Sequence, residues 1–311
     1  MSSPRSRLLG VLLGVGSCGL VSLTCAHRAS SAKGHLEGRL EHGGLTRSFI
    51  AASPEGPGPF PLVIALHGRL GTGAQQLKLT GMTAVATQER FIVVYPDGVD
   101  RSWADGRGTS PASKQGVDDV GFLRALIDEF VAHRRADPSR VYVMGMSNGG
   151  FMALTLACRA ADRVTAVGSV TGLMGAELAA SCAPSRPVSV AIVAGDHDEL
   201  VPFDGGAMTG GRGSIIGADE TFARWRALNG CQGAPMISPL ADGDPEDGTR
   251  VERREVARCR EGSRVRLDVV KGGGHTWPGG DRYLPERFIG KTSRDLDASR
   301  ELWDFFKAHS R

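Results

Sequence analysis

From residue 35 onward, short β-branched or wholly apolar runs trade places with longer stretches whose apolar positions recur at helical spacing. His35 to Glu41 and Thr46 to Ala52 alternate with period two around Gly43-Gly44, which predicts a hairpin. A Pro/Gly stretch from Pro54 to Pro61 leads into Leu62-Val63-Ile64-Ala65-Leu66, apolar at every position, as strands buried on both faces of a parallel sheet are. Strand and helix then alternate. Ala74 to Glu89 predicts a helix, Phe91 to Tyr95 a strand, and Asp118-Asp119 caps a helix running to about Arg135. Val141 to Met144 predicts a strand, Phe151 to Ala161 a helix, Val164 to Val170 and Val188 to Val193 strands, Ala218 to Asn229 a helix, Val265 to Val270 a strand, and Leu296 to Ala308 a closing helix. Two leading strands followed by repeated β-α units specify an α/β fold, a doubly wound and mostly parallel sheet covered on both faces.

No repeat, low-complexity segment or linker interrupts this pattern, so residues 33–311 are expected to form one domain. The stretch Ala241 to Gly248 is acidic and turn-rich, as a surface loop is. With 41% hydrophobic and 23% charged residues the composition is globular. A net charge of +3, without any Lys/Arg-rich run carrying interleaved aromatics, argues against nucleic acid as a partner.

Before the first strand the chain has a different character. An apolar run from Leu8 to about Leu23 follows Arg5 and Arg7 and is broken by Gly10, Gly14, Gly16 and Gly19, the form of a secretory signal rather than a retained anchor. Cleavage is expected after Ala26, or as late as Ala32. A lipidated N-terminus at Cys18 or Cys25 is the alternative, placing the protein at the cell envelope instead of outside it. Loss of Arg5 and Arg7 leaves 35 basic against 34 acidic residues, or +1, a near-neutral surface suited to a neutral or weakly charged substrate.

The remaining cysteines, Cys158, Cys182, Cys231 and Cys259, make an even set for an oxidising compartment. Three pairings are possible. Pairing neighbours would close two loops of roughly thirty residues or a little less, each stabilising by about 3 to 4 kcal/mol. Four buried free thiols are the other reading, and zinc is disfavoured because no close C-x-x-C spacing exists.

The candidate chemistry centres on Gly145-Met146-Ser147-Asn148-Gly149, set between a strand and a helix. A nucleophilic serine must be lifted clear of the backbone on a sharp turn, and side chains two positions either side would collide with neighbouring elements. The alternative, a Gly-rich turn with a surface serine, fits the flanking pattern less well. A base and an orienting acid are then expected in the order serine, acid, histidine. Asp198 follows the strand ending at Val193, and His275 follows the strand ending at Val270, so both fall at the same sheet edge as Ser147. Asp196 and Glu199 are rival acids, since a loop can present any of them, but Asp198 precedes the Val201-Pro202 that anchors the far end of its loop. His197 precedes the acid and is expected to be solvent-facing or loop-stabilising. Adjacent side chains diverge, so Asp196-His197-Asp198 is not expected to hold a metal.

Two N–H donors are needed for an oxyanion. Asn148, immediately after the serine, supplies one, and Arg69 in His67-Gly68-Arg69-Leu70-Gly71 supplies the other. His67 is expected to pin that loop rather than to react. Trp103 and Trp277 lie on loops at the same edge, as an aromatic substrate wall or as plain packing. Gly210-Gly211-Arg212-Gly213 lacks the Lys-Ser/Thr of a phosphate loop, and the chemistry calls for no cofactor.

These residues carry a resemblance. His67-Gly68, Tyr95-Pro96-Asp97-Gly98 with Trp103, Asp118-Asp119-Val120-Gly121-Phe122, Arg140-Val141-Tyr142 running into Gly145 to Gly150, and Gly274-His275-Thr276-Trp277-Pro278-Gly279 resemble the secreted polyhydroxybutyrate depolymerase and feruloyl esterase group of α/β-hydrolases, over nearly the whole mature chain. The resemblance implies the α/β-hydrolase fold, Ser147 as nucleophile, Asp198 as acid, His275 as base, and disulfides Cys158–Cys182 and Cys231–Cys259. The chain departs from the pattern twice. Ala194-Gly195 and Val201-Pro202-Phe203 stand where His-Gly and Val-Pro-Tyr are usual, and Arg69-Leu70 where the oxyanion loop usually carries small residues.

The expected function is a secreted serine carboxylesterase on polyhydroxyalkanoate-type polyester or oligoester, with feruloyl esters of plant polysaccharide as the alternative. No polymer-binding domain follows the catalytic one, which tilts the expectation towards soluble oligomers or side-chain esters. An acyltransferase on the same triad and a catalytically silent binding protein are the remaining alternatives, and no stable protein partner is implied.

Overall fold

The wholly apolar runs become the interior strands of one large sheet in the computed structural model, which describes residues 35–311. The expected leader with Cys18 and Cys25 lies outside the described residues, as do residues 33 and 34. In chain order the strands are β1 (Leu36–His42), β2 (Leu45–Ala52), β3 (Phe60–Leu66), β4 (Ile92–Pro96), β5 (Ala136–Met146), β6 (Ala166–Val170), β7 (Ser189–Gly195), β8 (Gly205–Ala207), β9 (Ser214–Ile216), β10 (Met236–Pro239), β11 (Arg250–Val256) and β12 (Val265–Lys271). The helices are α1 (Gly73–Thr80), α2 (Met82–Glu89), α3 (Pro111–Lys114), α4 (Asp119–His133), α5 (Asn148–Arg159), α6 (Ala176–Ser181), α7 (Ala218–Leu228), α8 (Glu286–Ile289) and α9 (Ala298–Lys307).

The main sheet has ten strands in the order β1-β2-β4-β3-β5-β6-β7-β12-β11-β10. The run from β4 to β12 is parallel, and antiparallel pairs close both flanks. This is the α/β-hydrolase fold. Side chains of β3 alternate between its two faces: Leu62, Ile64 and Leu66 join one apolar layer with α4 and α5, while Val63 and Ala65 join the other with α2 and α9. The second layer is closed by stacked rings, Phe91 on Trp303 at 3.9 Å and Tyr142 on Phe306 at 5.1 Å.

The N-terminal hairpin turns at Gly43-Gly44, both in the left-handed region, and pairs Leu36 with Ala51 through His42 with Leu45. The expected single helix from Ala74 to Glu89 is two. Gly81 (φ 58°) caps α1 by returning its N–H to the Leu77 carbonyl, and the chain restarts as α2. Strand β6 starts at Ala166, two residues inside the expected Val164. Strands β10 and β11, the small hairpin of β8 with β9, and α6 carry no apolar run and escape a pattern-based reading. In β11 the charges between Val251 and Val256 are matched across the sheet instead: Arg253 pairs with Asp268 at 2.7 Å and with Glu301 at 2.8 Å.

Both disulfides join neighbours in sequence. Cys158–Cys182 ties the end of α5 to the end of α6 across a separation of 24 residues, and Cys231–Cys259 spans 28. Among the described residues no helix is long and apolar enough to cross a membrane.

Candidate active site

Strand β5 delivers its last residue, Met146, to a turn that the next residue takes in a conformation few side chains adopt. Ser147 has φ 53° and ψ −118°, and its N–H bonds the Val170 carbonyl at 2.8 Å. The turn is tight because its neighbours are bare. A Cβ on Gly145 would lie 2.3 Å from the backbone of Gly149, and one on Gly149 would lie 2.3 Å from the Leu66 carbonyl oxygen. Helix α5 starts directly after Ser147 with no acidic residue in its first turn, so its positive end faces the serine uncompensated.

The loops after β7 and β12 meet. His197 N–H bonds Gly273 O at 3.0 Å, Asp196 N–H bonds Val270 O at 3.1 Å, and a Cβ on Gly195 would lie 2.3 Å from Gly273 O. The contact seats Asp198 beside His275, both buried, with Oδ2 2.7 Å from Nδ1. Oδ1 of Asp198 accepts the N–H groups of Leu200 and Val201, each at 2.8 Å, which fixes the carboxylate's rotation. The rivals are occupied elsewhere or exposed. Asp196 accepts from Gly272 N–H at 2.7 Å and pairs with the exposed His197, and Glu199 faces outward. Ser147, Asp198 and His275 thus stand past the carboxyl ends of β5, β7 and β12, parallel strands of one sheet.

The His67-Gly68 segment continues β3 and packs against the serine: a Cβ on Gly68 would lie 3.5 Å from that of Ser147. His67 is buried, donates from Nδ1 to Gly68 O at 2.8 Å and accepts Gly98 N–H on Nε2 at 2.9 Å. Burial pushes its pKa down, so the ring is neutral and acts as a clamp between two loops. Leu70 N–H is committed to Arg101 O at 2.8 Å and Gly71 N–H to Gly68 O at 2.9 Å, leaving Gly68 and Arg69 as the donors ahead of them. Asn148 is held rigidly by its side chain. Oδ1 accepts Trp103 N–H at 2.8 Å, and Nδ2 donates to Trp103 O at 3.0 Å and to Asp105 Oδ2 at 2.6 Å.

The two tryptophans are not a substrate wall. Trp103 is 0% exposed and donates its indole N–H to His67 O at 2.9 Å, while Trp277 is 1% exposed and donates to Ser299 Oγ at 3.1 Å. Each is a buried prop, the packing reading of the pair. The acids of the sequence motifs prop the same loops. Asp97 accepts Gly73 N–H and the Ser48 hydroxyl, and Asp119 accepts Ala104 N–H at 2.7 Å while pairing with buried Arg47 at 2.8 Å.

Two residues of the site escape sequence reasoning. Asp105, buried, joins Asn148 to Arg107, whose guanidinium lies 3.7 Å over the Phe151 ring and donates to Arg212 O. Tyr283 donates its hydroxyl to the His275 carbonyl at 2.8 Å. Neither position falls in a periodic or motif-like stretch.

A family model described as Esterase PHB depolymerase matches residues 53–193, the span from β3 through the serine turn to β7. NocK of Nocardia uniformis subsp. tsuyamanensis, named as an esterase, is 32% identical over 278 residues, 84% of this chain and 79% of its own length. Feruloyl esterase B of Piromyces equi is 29% identical over 220 residues, 69% of this chain, which spans only 39% of that longer protein. Among solved structures, an acetyl xylan esterase from Aspergillus awamori superposes with a TM-score of 0.54 at 16% identity, covering 84% of this chain and 94% of that one, a likeness of fold.

Proposed function

The chain belongs to the esterase PHB depolymerase family and is an esterase, and we propose that it is a secreted serine carboxylesterase whose reaction runs through Ser147, His275 and Asp198 in a single catalytic domain, residues 33–311. The observation that carries this reading is the buried 2.7 Å bond from Asp198 to His275 Nδ1, made at the sheet edge where Ser147 stands in its strained turn. With Nδ1 committed as donor, Nε2 is the basic ring atom. It takes the Ser147 proton as Oγ attacks the ester carbonyl, and the N–H groups of Asn148 and Arg69 receive the negative oxygen. The proton then passes from Nε2 to the departing alcohol oxygen as the C–O bond breaks. Water, deprotonated by the same nitrogen, then attacks the acyl carbon, and Nε2 returns that proton to Ser147 Oγ as the Oγ–carbon bond breaks and the acid leaves. No cofactor takes part in this sequence.

The substrate read here is an oligoester of hydroxyalkanoate type, in line with the family description. A second reading, a hydroxycinnamoyl ester of plant polysaccharide, is favoured by the named activity of the Piromyces equi relative. Secretion is supported by the Arg-flanked apolar leader and by two disulfides, which persist outside reducing compartments.

The test is hydrolysis of p-nitrophenyl butanoate, a soluble 3-hydroxybutyrate oligomer and methyl ferulate by the oxidised protein, with Ser147→Ala as control. Turnover of the oligomer but not the ferulate, lost in the variant, supports the first substrate reading, and the reverse supports the second. Acyl transfer to an added alcohol in place of hydrolysis would reassign the reaction as a transferase. Silence on all three esters would overturn the proposal.

A further inference from the structure

With Trp103 and Trp277 buried, the substrate-facing apolar surface must come from elsewhere at this edge. Among the described residues, seven large hydrophobic side chains are exposed, and three of them share the loop that runs from His275 to Lys291 through α8: Tyr283 at 42%, Leu284 at 48% and, on α8, Phe288 at 56%. That loop is built around the histidine. It leaves at His275 and returns so that His275 N–H bonds Ile289 O at 2.6 Å and Gly274 N–H bonds Lys291 O at 3.0 Å, with Gly273 bridged to Lys291. Inside it, the Tyr283 hydroxyl reaches back to the His275 carbonyl at 2.8 Å. Burial of the hydroxyl end, with the Asp198 charge nearby, pushes the phenol's pKa up, so this group remains a donor. The side chain is therefore anchored at its hydroxyl, while the residue as a whole remains 42% exposed.

The reaction decides which part of an ester such a ring meets. His275 must hand its proton to the alcohol oxygen as the carbonyl–oxygen bond breaks, so the alcohol moiety stands beside the histidine, and the acyl oxygen lies at the opposite loop, against Asn148 and Arg69. We propose that Tyr283, backed by Leu284 and Phe288, lines the leaving-group side of the site and selects alcohols that present an apolar face, a ring or an extended carbon chain, over small ones. This rests on the esterase reading given above. The hydroxyl has a separate task from the ring: it positions His275 through the main chain.

Methyl and benzyl butanoate test this, because they share an acyl group and their alcohols are of closely similar acidity. Rates are followed by pH-stat on wild type, Tyr283→Ala, Tyr283→Leu and Tyr283→Phe, and p-nitrophenyl acetate hydrolysis and phosphonate labelling of Ser147 report independently on the esterase. Wild type is expected to favour the benzyl ester in kcat/KM, and Tyr283→Ala to cut the benzyl-to-methyl ratio about fivefold to tenfold, the size of one aromatic contact. Tyr283→Leu carries the same expectation if the alanine variant does not fold. Tyr283→Phe keeps the ratio while lowering kcat on both esters. A wild type without benzyl preference, an unchanged ratio in the alanine and leucine variants, or a ratio lost equally in Tyr283→Phe overturns the inference while the esterase stands. Absence of both labelling and p-nitrophenyl acetate hydrolysis overturns the esterase reading, and the inference with it.

Discussion

Asp198 divides its carboxylate between the chain and the ring: Oδ1 takes the N–H groups of Leu200 and Val201, and Oδ2 sits 2.7 Å from Nδ1 of His275. The division dictates what the amide analogue does. In Asp198→Asn the carbonyl oxygen must stay with the two backbone donors, so the amide NH2 faces Nδ1 and forces the ring proton onto Nε2. The base is then in the wrong tautomer with the fold intact. We expect kcat on p-nitrophenyl butanoate to fall roughly 10^3-fold to 10^4-fold with little change in KM and an unchanged circular dichroism spectrum. A loss under about tenfold would remove Asp198 from the proposed triad.

Gly149 sits so close to β3 that a Cβ would meet the Leu66 carbonyl oxygen at 2.3 Å and that of His67 at 2.7 Å, both main-chain atoms of a central strand and the loop it feeds. Backbone cannot step aside as a side chain can. Gly149→Ala is expected to lose about 3 kcal/mol or more in urea unfolding with disulfides intact. Gly43→Ala is the comparison, since nothing lies within 4 Å of a Cβ there and its φ of 57° alone is at issue. Its cost should be about 1 kcal/mol. Equal losses at the two sites would mean that the elbow is looser than its geometry implies.

Two buried histidines are expected to cost stability on mild acidification. Burial lowers the pKa of His67 and His309 below the ordinary 6.5, and each ring donates from Nδ1 to a carbonyl, Gly68 O and Phe305 O. The unfolded chain therefore binds more protons than the folded one in the window beneath about pH 6.5, and stability there rises with pH and is lost on acidification. Unfolding free energy should fall from pH 7.5 to pH 5.5, by up to about 1.4 kcal/mol per pH unit for each histidine. His67→Gln and His309→Gln should each flatten that slope whatever they do to stability at pH 7.5. A slope unaltered in both variants would place the titration elsewhere.

The sheet was legible where burial leaves an apolar run. Leu62 to Leu66, Val141 to Met144 and Val188 to Val193 are strands because parallel strands covered on both faces have no polar side to show. That Ser147, Asp198 and His275 stand at one sheet edge was legible because each follows such a run by a few residues. Strand β11 was illegible for the converse reason: Glu252 to Glu255 are all charged, and Asp268, Glu301 and Asp219, which pair with Arg253 and Arg254, lie in other elements that no local pattern connects to them. Burial of an isolated loop aromatic is equally non-local. Nothing near Trp103 in the sequence says that Asn148 and His67 will enclose it, and nothing near Tyr283 says that it will lean on His275.

Asp105 and Arg107 form a pair that should be worth more broken than removed. Asp105 is buried and the Arg107 side chain is only 7% exposed, with Arg107 Nε 3.1 Å from Asp105 Oδ2, and the same oxygen accepts from Asn148 Nδ2 at 2.6 Å. Arg107 further donates to Arg212 O at 3.3 Å and lies over the Phe151 ring, so it cannot swing into solvent without dismantling the packing at the start of α5. Asp105→Ala leaves that guanidinium buried without its carboxylate, and we expect a loss of about 3 to 5 kcal/mol. Taking away both charges should restore much of it. The double variant Asp105→Asn with Arg107→Met keeps an acceptor for Asn148 and an apolar chain over Phe151, and it is expected to be more stable than Asp105→Ala alone. Because Asn148 retains its two bonds to Trp103, esterase activity should track the double variant's recovery in stability. A double variant less stable than the single one would mean that the pair contributes net stability, against the usual balance for buried charges.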